Sequence, residues 1–103
     1  MSSDAAAGFK RLVDIMAALR APDGCPWDRE QTIDSLKPFV LEETYEVLEA
    51  IDQHDHAELC EELGDFVFEA VFLAQLESEA GHFEIADSLT IVGCCQFREA
   101  RSE

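Results

Sequence analysis

The chain reads as an all-α protein, and three features of the sequence say so. Apolar residues recur at three- and four-residue spacing through four long stretches. No stretch alternates apolar and polar residues as a half-buried strand would. There is also no internal repeat and no Gly-rich phosphate loop among the 5 Gly of the 103 residues. This length suits one domain with a modest core, so association with further copies would add buried surface.

Asp4 is placed to cap a first helix running to about Leu19. Phe9, Leu12, Ile15, Met16 and Leu19 form its core-facing stripe, and Lys10 and Arg11 are surface charges. Pro22-Asp23-Gly24-Cys25-Pro26-Trp27-Asp28 reads as a loop punctuated by two prolines and a glycine. Trp27 is either a plug that pins this loop to the core or an aromatic platform beside a ligand, and bases do stack on such rings. Cys25 reads as a small packed residue.

Thr32 is expected to cap a short turn, and Pro38 to occupy the first turn of a second main helix ending near Asp52. Val40, Leu41, Val47, Leu48 and Ile51 form its apolar side, and Glu42, Glu43, Glu46 and Glu49 its acidic side. Lys37 either reaches an anionic substrate or balances local negative charge. Asp55 is the expected N-cap of a third helix, from His56 to Ala80, closed by Gly81; His54 and His56 read as exposed connector residues. Glu58, Glu62, Asp65 and Glu69 fall on one stripe of that helix, opposite Leu59, Leu63 and Phe66. From Phe66 to Ala74 it is apolar almost all round, a pattern that demands burial on every side and predicts a homo-oligomer. Gly64, costly inside a helix, either admits a close helix approach or leaves room for a ligand. A fourth helix beginning near His82 carries Ile85, Leu89 and Val92, and its pattern fades from Gly93.

Lys plus Arg total 7 against 23 Asp plus Glu, a formal net charge of −16. Such a surface is unsuited to a nucleic acid polymer, whose binding rests on basic contacts. A nucleotide remains possible if a cation bridges acids and phosphates. Cys25, Cys60, Cys94 and Cys95 form no CxxC pair or zinc spacing and read as reduced thiols of a cytoplasmic protein. No signal peptide is visible, and no apolar run reaches the ~20 residues that span a membrane.

The functional signal is a pair of acidic segments. Leu41-Glu42-Glu43-Thr44-Tyr45-Glu46 is answered by Glu62-Leu63-Gly64-Asp65. On helices, Glu43 and Glu46 share a face, as do Glu62 and Asp65. Two antiparallel helices would converge these carboxylates, and like charges about 5 Å apart repel by roughly 3 kcal/mol at an effective dielectric near 20. Solvated acidic faces are the ordinary alternative. A cation site is the other, and an all-oxygen donor set suits Mg²⁺. A di-iron bundle would need paired Glu-x-x-His motifs, whereas Glu79 and His82 alone have that spacing here.

With Gly24-Cys25-Pro26-Trp27-Asp28, the Leu41-to-Val47 segment and Glu61-Glu62-Leu63-Gly64-Asp65, the chain resembles the MazG-type nucleoside triphosphate pyrophosphohydrolases over roughly residues 9 to 92. The shared motif is EExxE followed at a distance by ExxD. The resemblance implies a four-helix-bundle-like fold completed as a homodimer or homotetramer. It implies hydrolysis of NTP or dNTP to monophosphate and pyrophosphate with Mg²⁺, Mn²⁺ being a possible substitute, in nucleotide-pool sanitation. By this resemblance Glu43, Glu46, Glu62 and Asp65 are metal ligands and Glu42 is the catalytic acid that orients or activates water. Lys37, Trp27 and Glu61 face the substrate. Residues 1–92 then form the pyrophosphohydrolase domain and 93–103 an atypical tail. Relatives of this type continue there with a basic segment, whereas Arg98 and Arg101 are the basic residues found here. The alternative expectation is a catalytically impaired domain that binds metal or nucleotide or serves interaction.

Overall fold

A computed structural model describes the backbone of residues 4–102 and the side chains of residues 4–94. It contains five helices and, among the described residues, no strand: α1 (Ala5–Leu19), α2 (Pro26–Glu30), α3 (Ile33–Asp52), α4 (His56–Glu79) and α5 (Ile85–Ser102). The long α3 and α4 form an antiparallel hairpin, against which α1 packs.

Local chemistry sets the boundaries. Asp4 stands at the N-cap of α1, yet its side chain makes no capping bond. The expected loop contains the short helix α2, with Pro26 at its first position, where a missing N–H is harmless. Gly24 is required by the turn before it: a Cβ there would lie 2.3 Å from the Leu19 carbonyl oxygen. Thr32 caps α3 itself, through a reciprocal capping box with Ser35. That cap starts α3 early enough to place Pro38 inside the helix rather than in its first turn. The missing Pro38 N–H then forfeits a single bond, to Asp34.

The hairpin turn follows the Schellman pattern, with His54 at φ 55° and bonds from Asp55 N–H to Ala50 O (3.1 Å) and His54 N–H to Ile51 O (3.1 Å). The Asp55 carboxylate then caps α4 by accepting from Glu58 N–H at 3.0 Å. Gly81, at φ 82°, closes α4 in the same way.

Met16, Leu36, Val71, Phe72 and Leu76 form the core, with Phe9, Leu12, Val13, Phe68 and Leu73 against it. Val13 takes the place expected of Ile15, which is exposed. Several expected core residues also face out: Leu41, Leu48 and Ile51 of α3, Leu63, Phe66 and Val67 of α4, and Leu89 and Val92 of α5. Within one chain, the all-round burial expected of Phe66–Ala74 is therefore only half met, because α1 and α3 cover just one side of α4. Among the described residues nothing lies within 4 Å of a Cβ at Gly64, so none of their helices approaches closely there.

One residue ties the ends together. The Arg20 guanidinium donates to both Glu79 carboxylate oxygens, at 3.0 and 2.5 Å. It also donates to the Asp28, Arg29 and Gln31 carbonyls at the end of α2, at 2.8, 2.9 and 3.3 Å. α1, α2 and the C-terminal end of α4 are joined by this one side chain.

Candidate metal centre

The buried residues of α3 are Leu36, Glu43 and Ala50, seven apart. Seven residues make nearly two turns, so the three lie on one seam of the helix. On α4 the matching seam runs through Glu62, Glu69 and Leu76, the first and last buried and Glu69 half-buried. In an ordinary helix pair such seams carry apolar knobs. Here the middle of the interface carries acids.

The structure brings three expected ligands together. One carboxylate oxygen each from Glu43, Glu62 and Asp65 lies within 4.8 Å of the others. Glu43 and Glu62 are 8% and 7% exposed, and Glu43 Oε2 and Glu62 Oε1 have no hydrogen-bond partner. Glu46, one turn along from Glu43, is exposed, and its charge is felt by both buried acids.

The electrostatics follow from this crowding. Burial, above all, raises Glu43, and the charges of Glu46 and Asp65 add to it against a lowering contact with Glu62. The largest influence on Glu62 is a contact with Glu58 that lowers it, but the contact with Glu43, burial and the charges of Glu43 and Glu46 leave it raised. Glu58 is raised in turn by its contact with Glu62 and by that residue's charge. Buried, unpartnered carboxylate oxygens within a cluster of acids are costly, and a hard divalent cation is a ligand whose chemistry relieves them. The donor set therefore fits such an ion.

Other expected site residues lie elsewhere. Glu42 is exposed, lining with Glu46 and Glu49 the outer groove of α3 beside Leu41, Tyr45 and Leu48. Glu61 is exposed on α4. Lys37 lies over an apolar groove formed by Ile33, Val40, Leu41, Thr44 and Leu73, on the flank of α3 away from Glu46. Trp27, 50% exposed, is no plug; its ring meets Phe39 edge to face.

Two acids of the region were not expected at the site. Glu58 lines the solvent-side hollow next to Glu62, with Glu46, Glu49 and Asp55. Glu69, one turn beyond Asp65, keeps an unpartnered buried Oε1 and is raised by burial and by the charge of Asp65. Both lie on the acidic stripe that the α4 periodicity already marked, which was the available signal.

Comparison with known proteins gives this arrangement a context. The family model described as MazG nucleotide pyrophosphohydrolase domain matches residues 31–99. The nucleoside triphosphate pyrophosphohydrolase/pyrophosphatase MazG of Thermotoga maritima is 52% identical over 79 residues, which cover 77% of this chain and 31% of that protein. The nucleoside triphosphate pyrophosphohydrolase of Escherichia coli is 53% identical over 78 residues, 75% of this chain and 30% of its own. The chain thus spans less than a third of the length of these curated relatives. The crystal structure of a mazG-related protein from Thermotoga maritima superposes with a TM-score of 0.68 at 30% identity, covering 81% of this chain and 71% of that one. Sequence and fold agree, and the chain belongs to the MazG nucleotide pyrophosphohydrolase domain family.

Proposed function

We propose that this protein hydrolyses nucleoside triphosphates, NTP or dNTP, to the monophosphate and pyrophosphate with Mg²⁺, serving nucleotide-pool sanitation in the cytoplasm. The observation that carries this reading is the pair of buried, unpartnered oxygens of Glu43 and Glu62 beside Asp65. Two of the relatives carry this activity in their names.

Glu43, Glu62, Asp65 and Glu46 would hold the cation, which supplies charge neutralisation at the phosphates and a water of lowered pKa. Glu43 and Glu62 offer buried oxygens without hydrogen-bond partners, and Glu46, exposed one turn on, would complete the set from the solvent side. Glu42, exposed on the outer groove of α3, is assigned the role of orienting or activating water. Glu61 and Lys37 are assigned to the substrate side with Trp27. A second copy would cover the apolar outer faces of α3 and α4, giving a homodimer or homotetramer. The tail from Gly93 continues α5, and its side chains from Cys95 on lie outside the described residues. Among the described residues, no helix is long and apolar enough to cross a membrane.

One observation favours a second reading, an impaired domain that binds metal or nucleotide without turnover. No ion pair joins a Lys or Arg to Glu43, Glu62 or Asp65 among the described residues, while a triphosphate needs cationic contacts beyond one metal. Arg98 and Arg101 lie outside the described side chains. Pyrophosphate release from a panel of NTPs and dNTPs, with Mg²⁺ and then with EDTA, separates the two. Metal-dependent release with monophosphate as co-product is expected. No release from a protein shown to be folded would leave the second reading.

A further inference from the structure

The α4 seam carries one acid that the proposed donor set leaves over. Glu62, Asp65 and Glu69 follow one another at three- and four-residue spacing, so they share a face of α4. The oxygens that lie within 4.8 Å of one another come from Glu43, Glu62 and Asp65, and Glu69 is not among them. Yet Glu69 Oε1 is closed off from water and has no hydrogen-bond partner. The same holds for Glu43 Oε2 and Glu62 Oε1, on side chains only 8% and 7% exposed.

The surroundings of Glu69 limit where a donor can come from. Seven residues back along α3 from Glu43 is Leu36, and seven forward along α4 from Glu62 is Glu69. In the antiparallel pair Glu69 therefore comes level with Leu36. Leu36 and Phe72, the latter one turn beyond Glu69, are each 1% exposed, and neither side chain can donate. No Lys or Arg pairs with Glu69 among the described residues. The remaining side is that of Asp65, whose charge reaches Glu69. Side chains on a helix lean toward its N-terminus, which turns Glu69 toward Asp65 and away from Phe72. Mg²⁺ keeps several waters at about 2.1 Å, and a hydrogen bond of about 2.7 Å from one of them extends its reach to roughly 5 Å. An acid just outside the ligand set is then still within its influence.

We infer that Glu69 is a positioning residue of the carboxylate centre, its closed-off oxygen accepting from a water bound to the cation rather than touching the cation itself. This role rests on the proposed cation reading of that centre. It divides the α4 acids between two tasks: Glu62 and Asp65 would hold the ion, and Glu69 would orient one water of its shell from the core side.

Mn²⁺ binding to the metal-free protein, followed by the electron paramagnetic resonance signal of the free ion, tests this without a nucleotide. Glu69→Leu removes both charge and acceptor, whereas Glu69→Gln removes the charge and keeps an acceptor oxygen. Glu69→Leu should weaken Mn²⁺ binding about 10-fold or more, the range for groups that support metal ligands, and Glu69→Gln by clearly less. The melting temperature of metal-free Glu69→Leu should hold or rise, since an unpartnered buried oxygen has gone. A residue that merely packs would do the opposite, lowering the melting temperature and leaving Mn²⁺ affinity alone. Unchanged Mn²⁺ affinity in Glu69→Leu overturns the inference. So do equal losses in the two variants, which would reduce Glu69 to a distant charge. A loss in Glu69→Gln as large as that in Glu43→Gln also overturns it, by making Glu69 a direct ligand. Mn²⁺ binding that depends on Glu69 in this way, in a protein that releases no pyrophosphate, keeps the positioning role and removes the hydrolase reading. Release with Mn²⁺ affinity indifferent to Glu69→Leu does the reverse.

Discussion

Two sets of charged groups are withdrawn from water in this molecule, and they are settled in opposite ways. At one end Arg20 gives five hydrogen bonds, two to Glu79 and three to carbonyls of the α2 region. Glu79 is lowered, first by that guanidinium bond, with the Gln75 amide helping at 3.0 Å. In the middle of the α3–α4 hairpin, Glu43 and Glu62 are as deeply buried as core residues, face other acids, and are both raised. The first set is complete within the chain and needs nothing. The second is complete only with something added. Enclosing charge therefore means different things at the two places: the partly exposed pair is architecture, and the buried, unpaired acids form a cluster that could bind a metal.

That contrast can be broken from its larger side first. Glu62→Gln or Glu43→Gln keeps shape and removes the charge. Pyrophosphate release is expected to fall by about 100-fold or more, since even partners outside the ligand shell cost ~10–100-fold. The melting temperature of the metal-free variant should hold or rise, because one repelling charge has gone. An active variant would dismiss the cation site. Adding Mg²⁺ to the metal-free wild type at neutral pH should raise thermal stability, by about 2.7 kcal/mol at one hundred times Kd. The Glu43→Gln protein should lose most of that response.

Arg20→Ala tests the other set. It abandons Glu79 and three carbonyls, and chemical denaturation should show a loss of about 2 kcal/mol, moderated because the Glu79 side chain is 37% exposed and screened by solvent. The response to Mg²⁺ should survive this change.

The smallest effect expected is one of pH. Glu79 is lowered in the folded protein, so the stability it adds is present above the ordinary glutamate pKa and is lost as pH falls through its folded value. Glu79→Gln should flatten that acid-side decline, measured by denaturation from pH 6 to about pH 3. The raised Glu43 and Glu62 have the opposite sign: they favour folding at low pH and oppose it as pH rises through their folded values.

The asymmetry also marks how far the residues could be read in advance. The C-terminal end of α3, the bounds of α4, the Asp55 cap and the meeting of Glu43 with Glu62 and Asp65 follow from periodicity and local capping, which depend on near neighbours. Which side of α3 turns inward did not follow. That helix has an acidic flank and an apolar flank, and period alone does not rank them; the seam through Glu43 won, leaving Leu41, Leu48 and Ile51 outside. Helix α2 was hidden by Pro22, Gly24 and Pro26, which mark a turn whether or not a helix follows. The Arg20–Glu79 pair spans 59 positions and has no local signature at all.

The three-residue connector between α3 and α4 bears on the order in which the molecule assembles. Glu43 and Glu62 are 19 positions apart, against 59 for Arg20 and Glu79. On a flexible-chain estimate, closing the longer loop costs about 1 kcal/mol more entropy. The hairpin can thus draw its carboxylates together while α1 is still searching for its place. A cation present during folding would then meet its binding groups before the hydrophobic core is finished, and would act on the folding reaction itself as well as on the finished protein.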